Sequence, residues 1–261
     1  MNYLIAAHTD IGIKKQTNQD SLFIKTADTE YGQVCFAVLC DGMGGLAKGE
    51  VASATVIRQF ADWFEKEFPE MLYRGIKPEI LKRTWENLIY EVNYKIGYYS
   101  ERNNAKMGST VVALLITGDI YYIVNVGDSR AYMVTNESII RLTKDQTFIQ
   151  KEMDEGRMTY DEAKRDPRRN VLLQCVGAST VIEPDFYLGQ IRERCVFLLC
   201  SDGFRHVIGE AEMQEKLNPM VMQDEETMRQ NACFLTELNK FRKEDDNISV
   251  ALVQVYHTDG R

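Results

Sequence analysis

Five aspartates in this chain stand where acids can do chemistry. Asp41 ends a run of seven apolar residues, VCFAVLC (Val34–Cys40), and is followed by GMGG. Asp202 ends a near repeat of that figure, CVFLLCSDGF (Cys195–Phe204). Asp128 follows Gly127 after IYYIVNV, Asp246 opens DNISVALV, and Asp20 heads the run SLFI. Turn chemistry accounts for any one of them, because Asp and Gly both accept tight backbone angles. Their shared setting beside apolar runs, however, puts all five at the border of a low-dielectric interior. If they converge, two carboxylates about 4 Å apart repel by ~4 kcal/mol at an effective dielectric of 20. Such a cluster must either take up protons or bind cations. An all-oxygen donor set without His or Cys favours Mg²⁺ or Mn²⁺ over zinc, and a pair of such ions ~3.5–4 Å apart is a common apparatus for phosphoryl hydrolysis. Gly42 and Gly203 would let the backbone approach an ion and present a carbonyl to it.

Other phosphate chemistries fit less well. GMGGLA (Gly42–Ala47) follows a strand-like run, but Asp41 would set a negative charge beside a pyrophosphate, and the chain lacks βαβ order. No GxxxxGK[ST] and no EF-hand spacing occurs. Imidazole chemistry would have to use His8, His206 or His257, and these are read as structural or solvent-facing.

The 261 residues are enough for one large domain with a substantial core. Composition is that of a globular protein, 44% hydrophobic and 27% charged. The formal charge of −8 argues against a general nucleic-acid or anionic-membrane footprint. No run reaches the ~18 apolar residues of a membrane span, and no basic leader precedes the first apolar stretch. Six cysteines without a CxxC pair read as buried reduced thiols. The expectation is a cytoplasmic monomer.

The acids need elements to position them. YLIAAHT, SLFIKT and VCFAVLC read as strands. Two helices follow, one with Ile57, Phe60, Phe64 and Phe68 at helical spacing, the other with Leu81, Trp85, Leu88, Val92, Ile96 and Tyr99. STVVALLITGDIYYIVNVGDSRAYMVTNESIIRL reads as an antiparallel meander broken at Gly118-Asp119, Gly127-Asp128 and Asn136-Glu137. Residues 143–177 are charge-rich and contain Pro167-Arg168-Arg169, and read as an excursion from the sheet. Helices are predicted near 210–217 and 225–241, and NISVALVQVY closes the chain as a strand. This order predicts sheet packed on sheet with outer helices rather than a doubly wound parallel sheet.

Taken in order, TDIGIKKQTNQD, VLCDGMGGLAKGEVAS, MGST, VGDSRAY, DPRRNVLLQCVG, CSDGF and DDNIS resemble the metal-dependent protein phosphatases of type 2C in their bacterial single-domain form. The resemblance spans nearly the whole chain, so that 1–261 reads as one such domain with a flap at about 143–177. It implies an α+β fold, a four-layer α-β-β-α sandwich of two antiparallel sheets flanked by helix pairs. It also implies hydrolysis of phosphoserine and phosphothreonine by a water bridging two Mn²⁺ or Mg²⁺ ions, in phosphoproteins made by a partner Ser/Thr kinase. Carried over by residue, Asp41 bridges the ions with the Gly42 carbonyl on one of them. Asp202 and Asp246 complete the other shell, Asp20 holds metal-bound water or ligates, and Asp128 joins Asp202 around a weaker third ion.

The chain departs from the family pattern at two places. Lys15 stands at the phosphate-binding arginine, with Lys14 as a competitor, and Gln146 stands at a histidine of the TxDHS segment. Lysine loses the bidentate fork that arginine offers a phosphate. Met43 stands where animal members have a histidine after DG, as in many bacterial relatives, so that water bound to metal would protonate the leaving alkoxide. Arg168 and Arg169 would position the flap, meet a phosphopeptide or form a solvated patch. A pseudophosphatase serving as a phosphoprotein-binding module and a small-molecule phosphohydrolase are the alternatives.

Overall fold

The computed structural model describes residues 1–44 and 48–256. His257 and the Gly45-Leu46-Ala47 end of the glycine segment lie outside the described residues. Among the described residues, eleven strands form two antiparallel sheets. They are β1 (Asn2–Asp10), β2 (Asp20–Thr29), β3 (Gly32–Gly44), β4 (Met107–Ser109), β5 (Val111–Thr117), β6 (Ile120–Val126), β7 (Arg130–Val134), β8 (Ile139–Arg141), β9 (Asp185–Gln190), β10 (Cys195–Cys200) and β11 (Ile248–Tyr256). One sheet runs β1-β11-β10-β7-β8; the other runs β2-β3-β5-β6-β9, with β4 joined to β3. Among the same residues, eight helices accompany them: α1 (Gly49–Lys66), α2 (Phe68–Tyr73), α3 (Pro78–Arg102), α4 (Phe148–Asp154), α5 (Tyr160–Arg165), α6 (Asp202–Arg205), α7 (Glu210–Leu217) and α8 (Glu225–Phe241).

The central strands read as unbroken apolar runs because both of their faces are covered. Along β3, Val34, Phe36, Val38 and Cys40 pack with α1 and α3, while Cys35, Ala37 and Leu39 face the opposite sheet. Along β10, Val196, Leu198 and Cys200 pack with α6 to α8, while Cys195, Phe197 and Leu199 face inward. Side chains alternate with period two, so the structure has three apolar layers, one under each helix group and one between the sheets. The four-layer α-β-β-α expectation holds.

The meander does not lie in one sheet. β5 and β6 form a hairpin in one sheet and β7 and β8 a hairpin in the other. Gly127-Asp128-Ser129 is therefore a crossing between sheets rather than a hairpin turn, and Gly127 takes φ +100° to make it. The short strands β4 and β9 carry too little apolar patterning to be read from sequence. Phe68 begins α2 rather than ending α1, and Tyr99 is 41% exposed although it shares the helical spacing of the α3 core stripe. Within residues 143–177, α4 and α5 are followed by a return path tied back at Thr147–Leu172 and Ser109–Val176.

Phe36 is the aromatic centre of the layer under α1, stacked on Phe64 at 4.9 Å and edge-on to Trp63 at 5.5 Å. Phe36→Ala should lower unfolding stability by roughly 3–5 kcal/mol in urea titration. A loss below about 1 kcal/mol would mean that this layer does not hold the sheet to its helices.

Candidate metal centre

Continuing the β3 alternation two residues past Leu39 puts Asp41 on the face between the sheets. β2 pairs with β3 so that Asp20 lies directly across from Asp41, and cross-strand partners on one face are close neighbours. β10 and β11 run out at the same end, where Ser201 and Ser249, both fully buried, replace the apolar inner residues. α6 starts there with Asp202, and Asp246 sits two residues before β11. The middle layer is thus closed at one end by polar and acidic groups.

The acids feel one another strongly. Burial pushes the Asp41 carboxyl well up from the usual carboxylate range, and the charges of Asp20, Asp202, Asp128 and Asp246 push it further. Asp20 rises to about 7, chiefly from burial; the Ser249 and Ser201 hydroxyls oppose the shift, and Asp202 and Asp246 add to it. Despite those two hydroxyls, neither Asp20 oxygen has a hydrogen bond of good geometry, and Asp202 Oδ1 is also buried without a partner. Among the described residues, no three His, Cys, Asp or Glu side chains are drawn together as a finished ion shell. What the fold sets up is a crowded ring of carboxylates with unpaired oxygens, which suits hard divalent cations.

Close backbone crossings bring these segments together. A Cβ on Gly42 would lie 2.2 Å from the Gly49 carbonyl oxygen and 2.4 Å from that of Gln19. A Cβ on Gly203 would lie 2.2 Å from the Asn247 carbonyl oxygen. Asn247 works as a clamp: its Nδ2 donates to the Ile11 and Thr17 carbonyls at 2.9 and 3.1 Å, and its Oδ1 accepts from Gln19 N at 2.9 Å. It thereby fixes the 11–19 loop beside Asp246. In that loop Lys15 Nζ lies 2.6 Å from Asp246 Oδ1, whereas Lys14 points outward to Asp245 at 2.9 Å. Of the two lysines, Lys15 alone is at the acid ring. Burial opposes its charge, but its bond to Asp246 and the charges of Asp41 and Asp202 outweigh that and raise its pKa.

Asp128 sits apart on the inter-sheet crossing. Burial and the charge of Asp202 raise it to about 6, against the pull of Arg205. Gln146 holds this crossing: its Oε1 accepts from Gly127 N at 2.8 Å, its backbone N donates to Gly127 O at 3.0 Å, and its Nε2 donates to Asp185 at 2.8 Å. The amide at this departure from the family pattern is therefore a neutral strut.

Three contributors escaped the sequence reading. His206 lies 3.4 Å from both Asp202 and Glu244. Glu244 in turn accepts the backbone N–H groups of Asp245 and Asp246 at 3.0 Å. Arg205 donates to Asp128. A helix stripe starting at Asp202 would have flagged positions 205 and 206, which lie one turn on. Arg168 pairs with Asp166 at 2.7 Å and lies over the Phe148 ring at 4.3 Å, and Arg169 is exposed.

The model of the protein phosphatase 2C family matches residues 12–241. The chain belongs to the protein phosphatase 2C family. It is 33% identical over 221 residues to the serine/threonine phosphatase stp of Listeria innocua, covering 83% of each chain. It is 31% identical over 255 residues to the serine/threonine protein phosphatase PstP of Mycobacterium tuberculosis, of which it spans 45%. The Streptococcus agalactiae serine/threonine phosphatase superposes with a TM-score of 0.84 at 30% identity, over 98% of this chain and 100% of that one. The catalytic domain of PstP, solved with two manganese ions, superposes with a TM-score of 0.77 at 28% identity over 98% of this chain and 100% of that chain. As a family member the chain is a protein-serine/threonine phosphatase.

The raised carboxyls fix how this phosphatase responds to pH without metal. The folded state binds more protons than the unfolded chain between the ordinary carboxylate pKa of about 4 and the folded value of about 7 for Asp20. Metal-free stability should therefore fall as pH rises through that window. Asp20→Asn removes the cause, so in EDTA it should be more stable than wild type at pH 8 by roughly 1 kcal/mol or more. Equal melting curves at pH 5 and pH 8 for both proteins would show that the ring carries no such strain.

Proposed function

We propose that the chain hydrolyses phosphoserine and phosphothreonine in proteins, using a pair of Mn²⁺ or Mg²⁺ ions held by Asp41, Asp202 and Asp246 with the Gly42 carbonyl and Asp20 beside them. The observation that carries this reading is the convergence of buried acids whose oxygens at Asp20 and Asp202 lack partners. When bound, the ions supply a nucleophile from water at neutral pH and neutralise charge developing on the phosphoryl oxygens.

The chain's own residues do the rest. Lys15, tethered to Asp246, brings a point charge to the edge of the ring, where it meets the phosphoryl group without the planar fork of arginine. The unpartnered oxygens of Asp20 accept hydrogen bonds from the attacking water and orient it. Met43 follows the Asp41-Gly42 pair and has no proton to give, so the leaving alkoxide is protonated from water. Residues 143–177 serve as a flap over the end of the sandwich within a single 1–261 domain. Its anchor is Gln146, which bonds to Leu173 on the return path and to Gly127 beneath. Hydrolysis of this kind consumes the product of a Ser/Thr kinase, and the six unpaired cysteines suit a reducing compartment. The enzyme is read as a cytoplasmic monomer.

Phosphate release from a phosphothreonine peptide should require Mn²⁺ or Mg²⁺ and stop with EDTA. A folded protein inert with every divalent ion would sink the catalytic reading in favour of a binding module. Asp41→Asn and Asp246→Asn should each lower kcat by roughly 10³-fold or more, while near-UV circular dichroism stays native. Near-wild-type turnover in either would remove that residue from the centre. Lys15→Ala should raise KM by about tenfold with a smaller change in kcat; an unchanged KM would move the phosphate contact elsewhere.

A further inference from the structure

Arg205 has no part in the chemistry above, yet it is among the most closely surrounded cations in the fold. Its side chain is only 10% exposed, as is that of Asp145, and that of Asp128 is 11% exposed. Nη2 donates to the Asp128 backbone carbonyl at 2.9 Å and to the Asp128 carboxylate at 3.2 Å, and lies 4.0 Å from Asp145 Oδ2. Asp145 is itself gripped by Arg130 through two bonds of 2.7 and 2.5 Å. Two buried acids and two buried guanidiniums thus form a chain with no net charge. Asp202 and Arg205 stand three residues apart on the single turn of α6 and so share a side of it. The Asp202 charge also acts on Arg205.

Resting on the two-ion reading above, we propose that Arg205 is a fixed cation seated beside Asp128 and Asp202, which takes the place of any further divalent ion there and limits the centre to two ions. Asp128 is then a partner of the guanidinium and not a metal ligand. A dication brought to Asp128 would meet a guanidinium already hydrogen-bonded to that carboxylate, in surroundings where like charges are poorly screened. The guanidinium cannot step aside at no cost, because leaving Asp128 and Asp145 would strand a buried charge. Both contacts to Asp128 come from one nitrogen, so a lysine ammonium can substitute for it, whereas a neutral amide cannot supply the charge. Arg205 is accordingly a positioning residue that sets the number of ions, and a purely structural role would not move that number.

The test is Mn²⁺ stoichiometry on the full chain, by equilibrium dialysis with elemental analysis, with cooperative thermal unfolding as the check that each variant is folded. Wild type and Arg205→Lys should each bind about two ions, and Arg205→Gln about three. Asp128→Asn in the wild-type background should still bind about two, with dissociation constants within about threefold of wild type. This last variant decides the matter even if Arg205→Gln does not fold. The proposal is overturned if wild type binds about three ions, if Asp128→Asn loses one, or if folded Arg205→Gln stays at two. Wild type binding no Mn²⁺ at all would instead overturn the metal reading on which the proposal stands, a distinct result.

Discussion

Carboxylates crowded at one end of the space between two sheets repel one another, and the backbone there leaves them little room to separate. Asp20 and Asp41 are held opposite each other by the β2–β3 register, which is fixed along ten cross-strand pairs. Asp202 cannot move away while Gly203 is pressed against the Asn247 carbonyl, and Asp246 cannot while its neighbour Asn247 clamps the 11–19 loop. The energy that holds these charges together comes from the three apolar layers behind them, through many buried contacts that would all be lost if the strands slipped by one residue. The site is therefore strained by its charges and stabilised by a core lying elsewhere.

Counter-charges are laid out in a graded way around that constraint. At the ring itself the half-exposed Lys15 is paired with the equally accessible Asp246. Farther out, at Asp128, the balance is made by buried arginines that cannot leave. His206 and Glu244 link the α6 side to the backbone of the 245–246 turn. A site meant for exchangeable cations needs unpaired oxygens at its centre and firmly paired ones at its edge, and the distribution of partners follows that pattern.

The neutral strut at Gln146 bears on how residues 143–177 are held. It joins the inter-sheet crossing, the start of the 143–177 segment and Asp185 at the head of β9 through an amide that itself carries no ionisable proton. A histidine in that place could lose or gain a proton between about pH 5 and 8. The departures at Lys15 and Gln146 therefore differ in kind: the first changes the cation beside Asp246, the second how a loop is anchored. Neither alters the acid ring.

Much of this was legible in the chain alone. Apolar runs ending in Asp-Gly located Asp41 and Asp202, helical spacing located the stripes of α1 and α3, and the ordered motifs pointed to the fold, because strand and helix periods and turn chemistry are local properties. The split of the meander between two sheets was not legible, since hairpin and crossing both read as glycine-aspartate turns and only the packing of β7 on β10 separates them. Nor could sequence choose Lys15 over Lys14, adjacent residues of one type, or show that Arg205 and His206 lie on acids 77 and 38 positions away. Charge acts through space over a few ångströms, while the sequence orders residues along the chain. Which charges are neighbours is decided only when two sheets close on one another and bring loops from distant parts of the chain to a single end.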